Sequence, residues 1–305
     1  MTGGRRRVVI SCAVSGTEHT PSMSEFLPVT PEQVAQQAVD AARAGAAVLH
    51  LDARNPADGG LVRDPAALDA VVAAIRAQTD AVVATTAAAD ATDLHSIDMG
   101  AISHSYRRAA RGISAWKYGW ERPFVEGAED RFMGSTLGEI RNVLTRLGHE
   151  ARFVFECHDP SHLHNLAYCV EEGMVQAPLF VQFHFGPTGG LGSNPDNVHM
   201  MKDAADRLFG RDGYEFSVAA HGRQQIPLVA LGAIMGGHVR VGLADSLYLG
   251  KGLLATSCAA QVLKIRRILE DLSLEIASAD EARRILQGRG AGGSGRVAGE
   301  ARLNG

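Results

Sequence analysis

The sequence is poor in aromatics, weak in net charge, and without a membrane-length apolar run or a cysteine pair. Aromatic residues make up 6% of 305 residues and the formal net charge is −4, so neither the basic face nor the stacking platform of a nucleic-acid binder is present. No apolar stretch approaches the roughly 20 residues a bilayer span needs, and a membrane partner is not expected. Cys12, Cys157, Cys169 and Cys258 are scattered without CxxC spacing, the pattern of reduced thiols in a cytoplasmic protein. Arg5, Arg6 and Arg7 imitate the start of a signal peptide, but the apolar run behind them ends at Ser15-Gly16 and is polar by Glu18. It reads as a first strand.

What is present is a composition able to bury a sizeable core, 46% apolar and 21% charged. At this length a single unit is common only among barrels. Short β-branched apolar runs alternate with helical patterns, the signature of a parallel sheet with helical crossovers. Eight such runs can be named, at 8–14, 46–53, 81–86, 95–100, 152–158, 179–186, 215–221 and 239–245. The expected fold is an α/β TIM (β/α)8 barrel over residues 1–287. Residues 288–305 are glycine-rich, lack apolar periodicity, and read as a flexible tail.

Helix starts are explicit. Thr30-Pro31-Glu32-Gln33 combines an N-cap, a proline at the first helical position and a capping-box glutamine, with Gly45 at the far end, which predicts a helix of about 14 residues. Asp64-Pro65 repeats the device before Leu68, Val72 and Ile75, and Ser135 precedes Leu137, Ile140, Leu144 and Leu147, stopped by Gly148. One link departs from this scheme. Only eight residues separate Thr86 from His95, whereas a parallel crossover takes about a dozen or more, so the third βα connection is expected to be shortened. Residues 103–131 are long, aromatic and basic, suited to covering a mouth of the barrel or to an oligomer contact.

Catalytic groups of such barrels project from the carboxyl ends of the strands. That rule selects Glu18, His50, Asp52, Arg54, Thr85, Thr86, Asp98, Glu156, His158, Gln182, His184, His221, Arg223, Arg240 and Asp245. His50-Leu51-Asp52 lies on a strand of period two, so both side chains share a side and can meet one metal ion or one substrate, or simply satisfy each other. Asp52, His158, His184 and His221 offer a second donor set, although each imidazole alone is more often a satisfied core group. Arg240 and Asp245 are five apart across the end of the last strand, where a bend lets the guanidinium hold the carboxylate, catalytically or as a structural pair. Residues 186–192, with Gly189 and Gly190, precede a helix start at Asn194-Pro195. Their amides can cradle phosphate or thioester oxygens, or form an ordinary turn.

Cys12-Ala13-Val14-Ser15-Gly16, Leu27-Pro28-Val29-Thr30-Pro31-Glu32, Ala44-Gly45-Ala46, Phe155-Glu156-Cys157 and Arg240-Val241-Gly242-Leu243 resemble the β-keto acid cleavage enzymes, and the similarity runs from about residue 8 to about residue 287. The resemblance implies a zinc-dependent barrel, usually a homotetramer, that condenses a β-keto acid with acetyl-CoA and releases acetoacetate and a new acyl-CoA. A divalent metal, zinc, would polarise the 3-keto group as a Lewis acid. Arg240 and Asp245 match the dyad that takes a proton from the carbon between the two carbonyls. Glu18 matches an acid that reads the distal substituent, Thr85 and Thr86 fall where the family binds substrate oxygens, and Glu156 matches another site acid. With Arg54, Asp98, Gly189 and Gly190 these complete the candidate list for a small carboxylic acid substrate.

The departures are specific. The family's three zinc-ligand positions read His50, Asp52 and Ala244, and alanine cannot ligate. His158, His184 and His221 stand where the family would have tyrosine or apolar residues. The expected centre therefore joins His50 and Asp52 with His184 or His221. Three readings follow: the family's carbon–carbon chemistry; a barrel with a rebuilt His/Asp centre, holding iron or another metal or working without one through Asp245; and an inactive binding or scaffold subunit. Retention of Glu18, Arg240 and Asp245 speaks against the last.

Overall fold

The computed structural model describes residues 6–62, 66–86, 92–149 and 151–286. Eight parallel strands close into a barrel. They are β1 (Ile10–Ala13), β2 (Val48–Leu51), β3 (Val82–Thr85), β4 (Leu94–Asp98), β5 (Phe153–Cys157), β6 (Leu179–Phe185), β7 (Tyr214–Ala220) and β8 (His238–Val241). Each pairs with its sequence neighbours and β8 returns to β1, through Arg240↔Ser11 and Val241↔Cys12. All eight runs expected from the sequence are there, trimmed by a residue or more at most ends.

Helices fill the outer ring: α1 (Pro31–Ala44), α2 (Ala66–Arg76), a short α3 (Glu121–Glu126), α4 (Leu137–Leu147), α5 (Pro160–Glu171), α6 (Pro195–Phe209), α7 (Gln225–Ile234) and α8 (Cys258–Asp271), followed by α9 (Ala279–Leu286). The α1 capping box is formed as read, with the Thr30 side chain accepting from the Gln33 amide and the Gln33 side chain answering the Thr30 amide. At α4 the cap is Thr136 rather than Ser135. The reciprocal bonds need a glutamate or glutamine three residues on, and Thr136-Leu137-Gly138-Glu139 supplies it where Ser135 does not. The Asp64-Pro65 start and the 288–305 tail lie outside the described residues.

Among the described residues no helix separates β3 from β4, although residues 87–91 of that link lie outside them. The returning chain is tied down at once. The Asp93 carboxylate accepts from the Val83 amide at 2.9 Å and from Arg76 at 2.8 Å, and the Thr92 hydroxyl donates to the Val83 carbonyl.

Side-chain alternation divides the interior. Toward the amino ends of the strands the inward positions are apolar, with Val9, Val48, Val82, Leu94, Val154 and Phe180 buried together. Two residues further along β2, β4 and β5 the same face carries His50, Ser96 and Glu156. Ala277, Ala282 and Leu286 pack on the apolar layer, so α9 closes the barrel from below. The segment leading to it pairs in parallel with Arg7–Val8, through Arg7↔Glu275 and Val8↔Ile276. Outward residues such as Leu49, Phe183 and Phe185 are fully buried against the helices, each contributing about 1.5–3 kcal/mol.

Thr30→Ala removes the hydroxyl that accepts from the Gln33 amide, leaving the Thr30 amide bonded to the Gln33 side chain, and should lower unfolding stability by about 1 kcal/mol in urea titration. An unchanged midpoint would mean that packing alone sets the start of this helix.

Candidate active site

The carboxyl ends of the strands surround a cavity of about 90 Å³ that widens into an outer chamber of about 470 Å³, the two sharing Thr17, Asp52, Thr86, Asp98 and Met133. The outer wall comes from the aromatic segment. His104, Tyr106, Phe124, Arg131 and Phe132 line it, held by a hairpin in which Ala101–Ser103 pairs antiparallel with Phe132–Gly134. The segment thus covers the mouth of the barrel, one of the two roles its composition suggested.

Arg240 sits at the centre. Its guanidinium grips Asp245 with two bonds, from Nε at 3.1 Å and from NH2 at 3.0 Å, while NH1 donates to Glu156 at 3.0 Å. The chain bends after β8 to bring Asp245 back. Gly242 makes this possible: its φ is +148°, and a β-carbon there would collide with the Ala13 carbonyl oxygen. Gln225 and Gln261 hold the bend by donating to the Gly242 and Ser246 carbonyls. Burial opposes the Arg240 charge, yet Asp245 and Glu156 hold the guanidinium protonated more firmly than usual. Burial likewise raises Glu156, but Arg240 and His184 prevail and keep its carboxyl well below the ordinary range.

A second ion pair stands at the rim, where Glu18 Oε2 lies 3.1 Å from His221 Nδ1. Burial favours the neutral acid, but His221 overrides it and holds Glu18 at about 2. Burial also disfavours the His221 cation, and Glu18 reverses that, so the imidazole is raised. His50 behaves oppositely. Burial first and the Arg240 charge second bring it down to about 3, and its Nδ1 lies 3.2 Å from the Ser96 hydroxyl. Asp52 is raised by burial, against a 3.1 Å bond from Thr86. Thr85 lines the cavity and is buried.

Among the described residues, one group of three can hold a metal ion: Glu156, His158 and His184, whose donor atoms lie within 4.8 Å of one another. This group differs from the centre expected at His50, Asp52, His184 and His221. Only His184 of that set takes part. His50 is turned to Ser96, Asp52 to Thr86 and His221 to Glu18. The register Glu156↔Gln182 and Cys157↔Phe183 sets His184 beside His158, and their rings stack with centroids 4.6 Å apart. Burial, then His158, lowers His184 to about 4. Asp98 Oδ1 meets His158 Nε2 at 3.1 Å.

Three further candidates are engaged elsewhere in the structure. Arg54 does not line the cavity; its buried guanidinium donates to the carbonyls of Ser15, Gly16, His19 and Gly59 at 2.8–3.0 Å, pinning the loop that carries Glu18. Gly189 and Gly190 are packing positions. A β-carbon on Gly189, whose φ is +97°, would strike the Ser103 carbonyl, and one on Gly190 would press on the His158 carbonyl at 3.3 Å. Ser96 and Met133 line the cavity and escape the strand-end rule. Ser96 is two before Asp98, so the alternation that pairs His50 with Asp52 would find it. Met133 arrives by a non-local hairpin that no local pattern marks.

Comparison with known proteins follows from this geometry. The sequence profile of the beta-keto acid cleavage enzyme family matches residues 7–287. The chain belongs to the β-keto acid cleavage enzyme family. As such it is an enzyme, and its chemistry is the breaking of a carbon–carbon bond in a β-keto acid. This β-keto acid cleavage enzyme is similar to 3,5-dioxohexanoate:acetyl-CoA acetone transferase of Paraburkholderia graminis, 42% identical over 94% of this chain and 97% of that protein. It is also similar to 3-dehydrocarnitine:acetyl-CoA trimethylamine transferase of Rhizobium meliloti, 31% identical over 92% and 97%. Among solved structures, ObcA bound to oxaloacetate superposes with a TM-score of 0.62 at 16% identity, covering 85% of this chain and 67% of that one. That likeness speaks for the barrel alone. No helix of the described residues is long and apolar enough to cross a membrane.

Arg54→Met keeps the aliphatic stem and strands the loop carbonyls, at about 1–3 kcal/mol for a buried group left unpaired. The urea midpoint of unfolding should fall accordingly. Undiminished stability with a raised KM would instead return Arg54 to substrate contact.

Proposed function

We propose that this enzyme transfers the acyl part of a β-keto acid to the CoA thiol of acetyl-CoA, whose acetyl group passes to the remaining fragment, and that its substrate carries a neutral, oxygen-bearing distal group. The observation behind this reading is the Glu18–His221 ion pair at 3.1 Å. An isolated buried carboxylate at that rim would favour a cationic substituent. Here it is already met by His221, whose imidazole it favours in the protonated form, and His221 Nε2 has no hydrogen-bond partner among the described residues. A protonated imidazole with a spare N–H suits a carbonyl or hydroxyl oxygen. The relative at 42% identity is named for a dioxo acid, which fits the same reading.

The chemistry follows from the central triad. Asp245, oriented by both Arg240 bonds, removes a proton from the carbon between the carboxylate and the 3-keto group. The resulting carbanion attacks the thioester carbonyl of acetyl-CoA, forming a carbon–carbon bond and releasing the CoA thiolate. That thiolate attacks the 3-keto carbon, and the original bond breaks. Acetoacetate leaves, recovering its proton from Asp245, and the remainder departs as a new acyl-CoA. Arg240 offsets the negative charge that builds up, and His50, kept neutral by burial, offers a ring nitrogen to the keto oxygen without bringing a competing cation. The outer chamber beneath Tyr106, Phe124 and Arg131 suits the bulk of the coenzyme.

The zinc that the resemblance implies does not fit the positions where the resemblance puts it. Ala244 has no donor atom and Asp52 is engaged by Thr86, so no step is routed through an ion there. Four buried free cysteines support a reducing, cytoplasmic setting. Phe132, 77% exposed beside the chamber, supports the homo-oligomer, tetramer or dimer, that the family implies.

With 3,5-dioxohexanoate and acetyl-CoA, Asp245→Asn should lower turnover about 10²–10⁴-fold with an unchanged circular dichroism spectrum. A folded variant at full rate would reduce the Arg240 pair to structure. His221→Phe should weaken the dioxo substrate about 10–100-fold, the effect of a lost hydrogen bond to a charged group. It should also improve use of an amine-bearing analogue, since Glu18 is then unpaired. Equal losses on both substrates would refute the specificity assignment.

A further inference from the structure

We propose that this enzyme holds a divalent metal at Glu156, His158 and His184, displaced from strand β2, where its family resemblance places the ion, to strands β5 and β6. Glu156 and His158 are two apart along β5 and so project on one side, and His184 on β6 lies beside them. All three are buried, and their donors lie within 4.8 Å of one another. Two imidazoles and one carboxylate form a donor set used by catalytic zinc, with the remaining coordination positions open to substrate or water.

The hydrogen-bond inventory points the same way. Buried polar atoms are nearly always paired, yet Nδ1 of His184 and Nδ1 of His158 have no hydrogen-bond partner among the described residues, and Nε2 of His184 has only the ion-pair contact to Glu156. These are the atoms a cation would complete. The other nitrogen of His158 already faces Asp98 at 3.1 Å, an outer carboxylate of the kind that orients and polarises a metal-bound histidine. Glu156 divides its oxygens in a compatible way: Oε1 accepts from Arg240, while Oε2 lies 3.3 Å from His184 Nε2. Around the cavity stand five carboxyl side chains, of Glu18, Asp52, Asp98, Glu156 and Asp245, against the Arg240 guanidinium and the His221 imidazole paired with Glu18. A dication is therefore electrostatically welcome there. The site borders the same cavity as Asp245 and His50, so the ion would still polarise a keto oxygen presented to the base.

The location does not depend on the substrate assigned above, and the experiment reads metal rather than turnover. Untagged protein equilibrated with micromolar zinc and desalted should retain about one equivalent by elemental analysis. His158→Gln and His184→Gln should lose it, His50→Gln should keep it, and Asp98→Asn should weaken it about 10–100-fold. Circular dichroism checks that each variant is folded. A measurement on the unmutated chain covers the case in which one is not: cobalt-loaded protein should give paramagnetically shifted signals assigned to His158 and His184 and none assigned to His50, where a centre on His50 and Asp52 would shift His50. Failure to retain zinc, loss of it in folded His50→Gln, or a shifted His50 signal overturns the proposal. None of these outcomes bears on whether the enzyme cleaves a β-keto acid.

Discussion

A guanidinium buried in the middle of a barrel is the constraint around which the rest of this molecule is arranged. Taking such a charge out of water is costly unless opposite charges and good geometry accompany it. Arg240 is given both: Asp245 from the bend after β8 and Glu156 from β5. The bend requires Gly242, because only glycine fits against the Ala13 carbonyl. The same cation lowers His50 and opposes protonation of Asp52. One charge thus links the conformation of a loop, the protonation of three neighbours and the placement of the base.

Around that centre the site is built from alternation of sign. Glu18 with His221, His158 with Asp98, and His184 with Glu156 each set an imidazole against a carboxylate. The histidines differ in state because their surroundings differ. His221 has a buried acid of its own and is raised, whereas His184 shares Glu156 with Arg240 and stacks on another ring. One residue type is therefore pushed toward its charged form at the rim and toward its neutral form further in.

Much of this is legible along the chain. The period-two runs mark all eight strands, and the Thr30 capping box and the Gly45 stop mark α1 to the residue. Strand-end position finds the Arg240–Asp245 pair and Glu18. What escapes is contact between distant segments. Arg54 looks like a substrate ligand because it stands at a strand end, but a long side chain can turn from the cavity to whichever carbonyls lie bare, here those of the 15–19 loop. His50 and Asp52 share a side of β2 as read, yet Ser96 and Thr86 claim them first. Which imidazoles converge depends on strand register, and the pairing Glu156↔Gln182 that sets His184 beside His158 is not written in either strand alone.

The floor of the barrel is supplied by α9, the last described element, whose Ala282 and Leu286 cover Val48, Val82 and Phe180. Synthesis runs from the other end, at about 5–20 residues per second. All eight strands therefore emerge before their lower face has anything to rest on, and for that interval the growing chain presents a ring of apolar side chains to water and to chaperones. The reactive mouth, in contrast, is complete in sequence by Asp245. In the order of synthesis the catalytic end precedes the seal that α9 supplies.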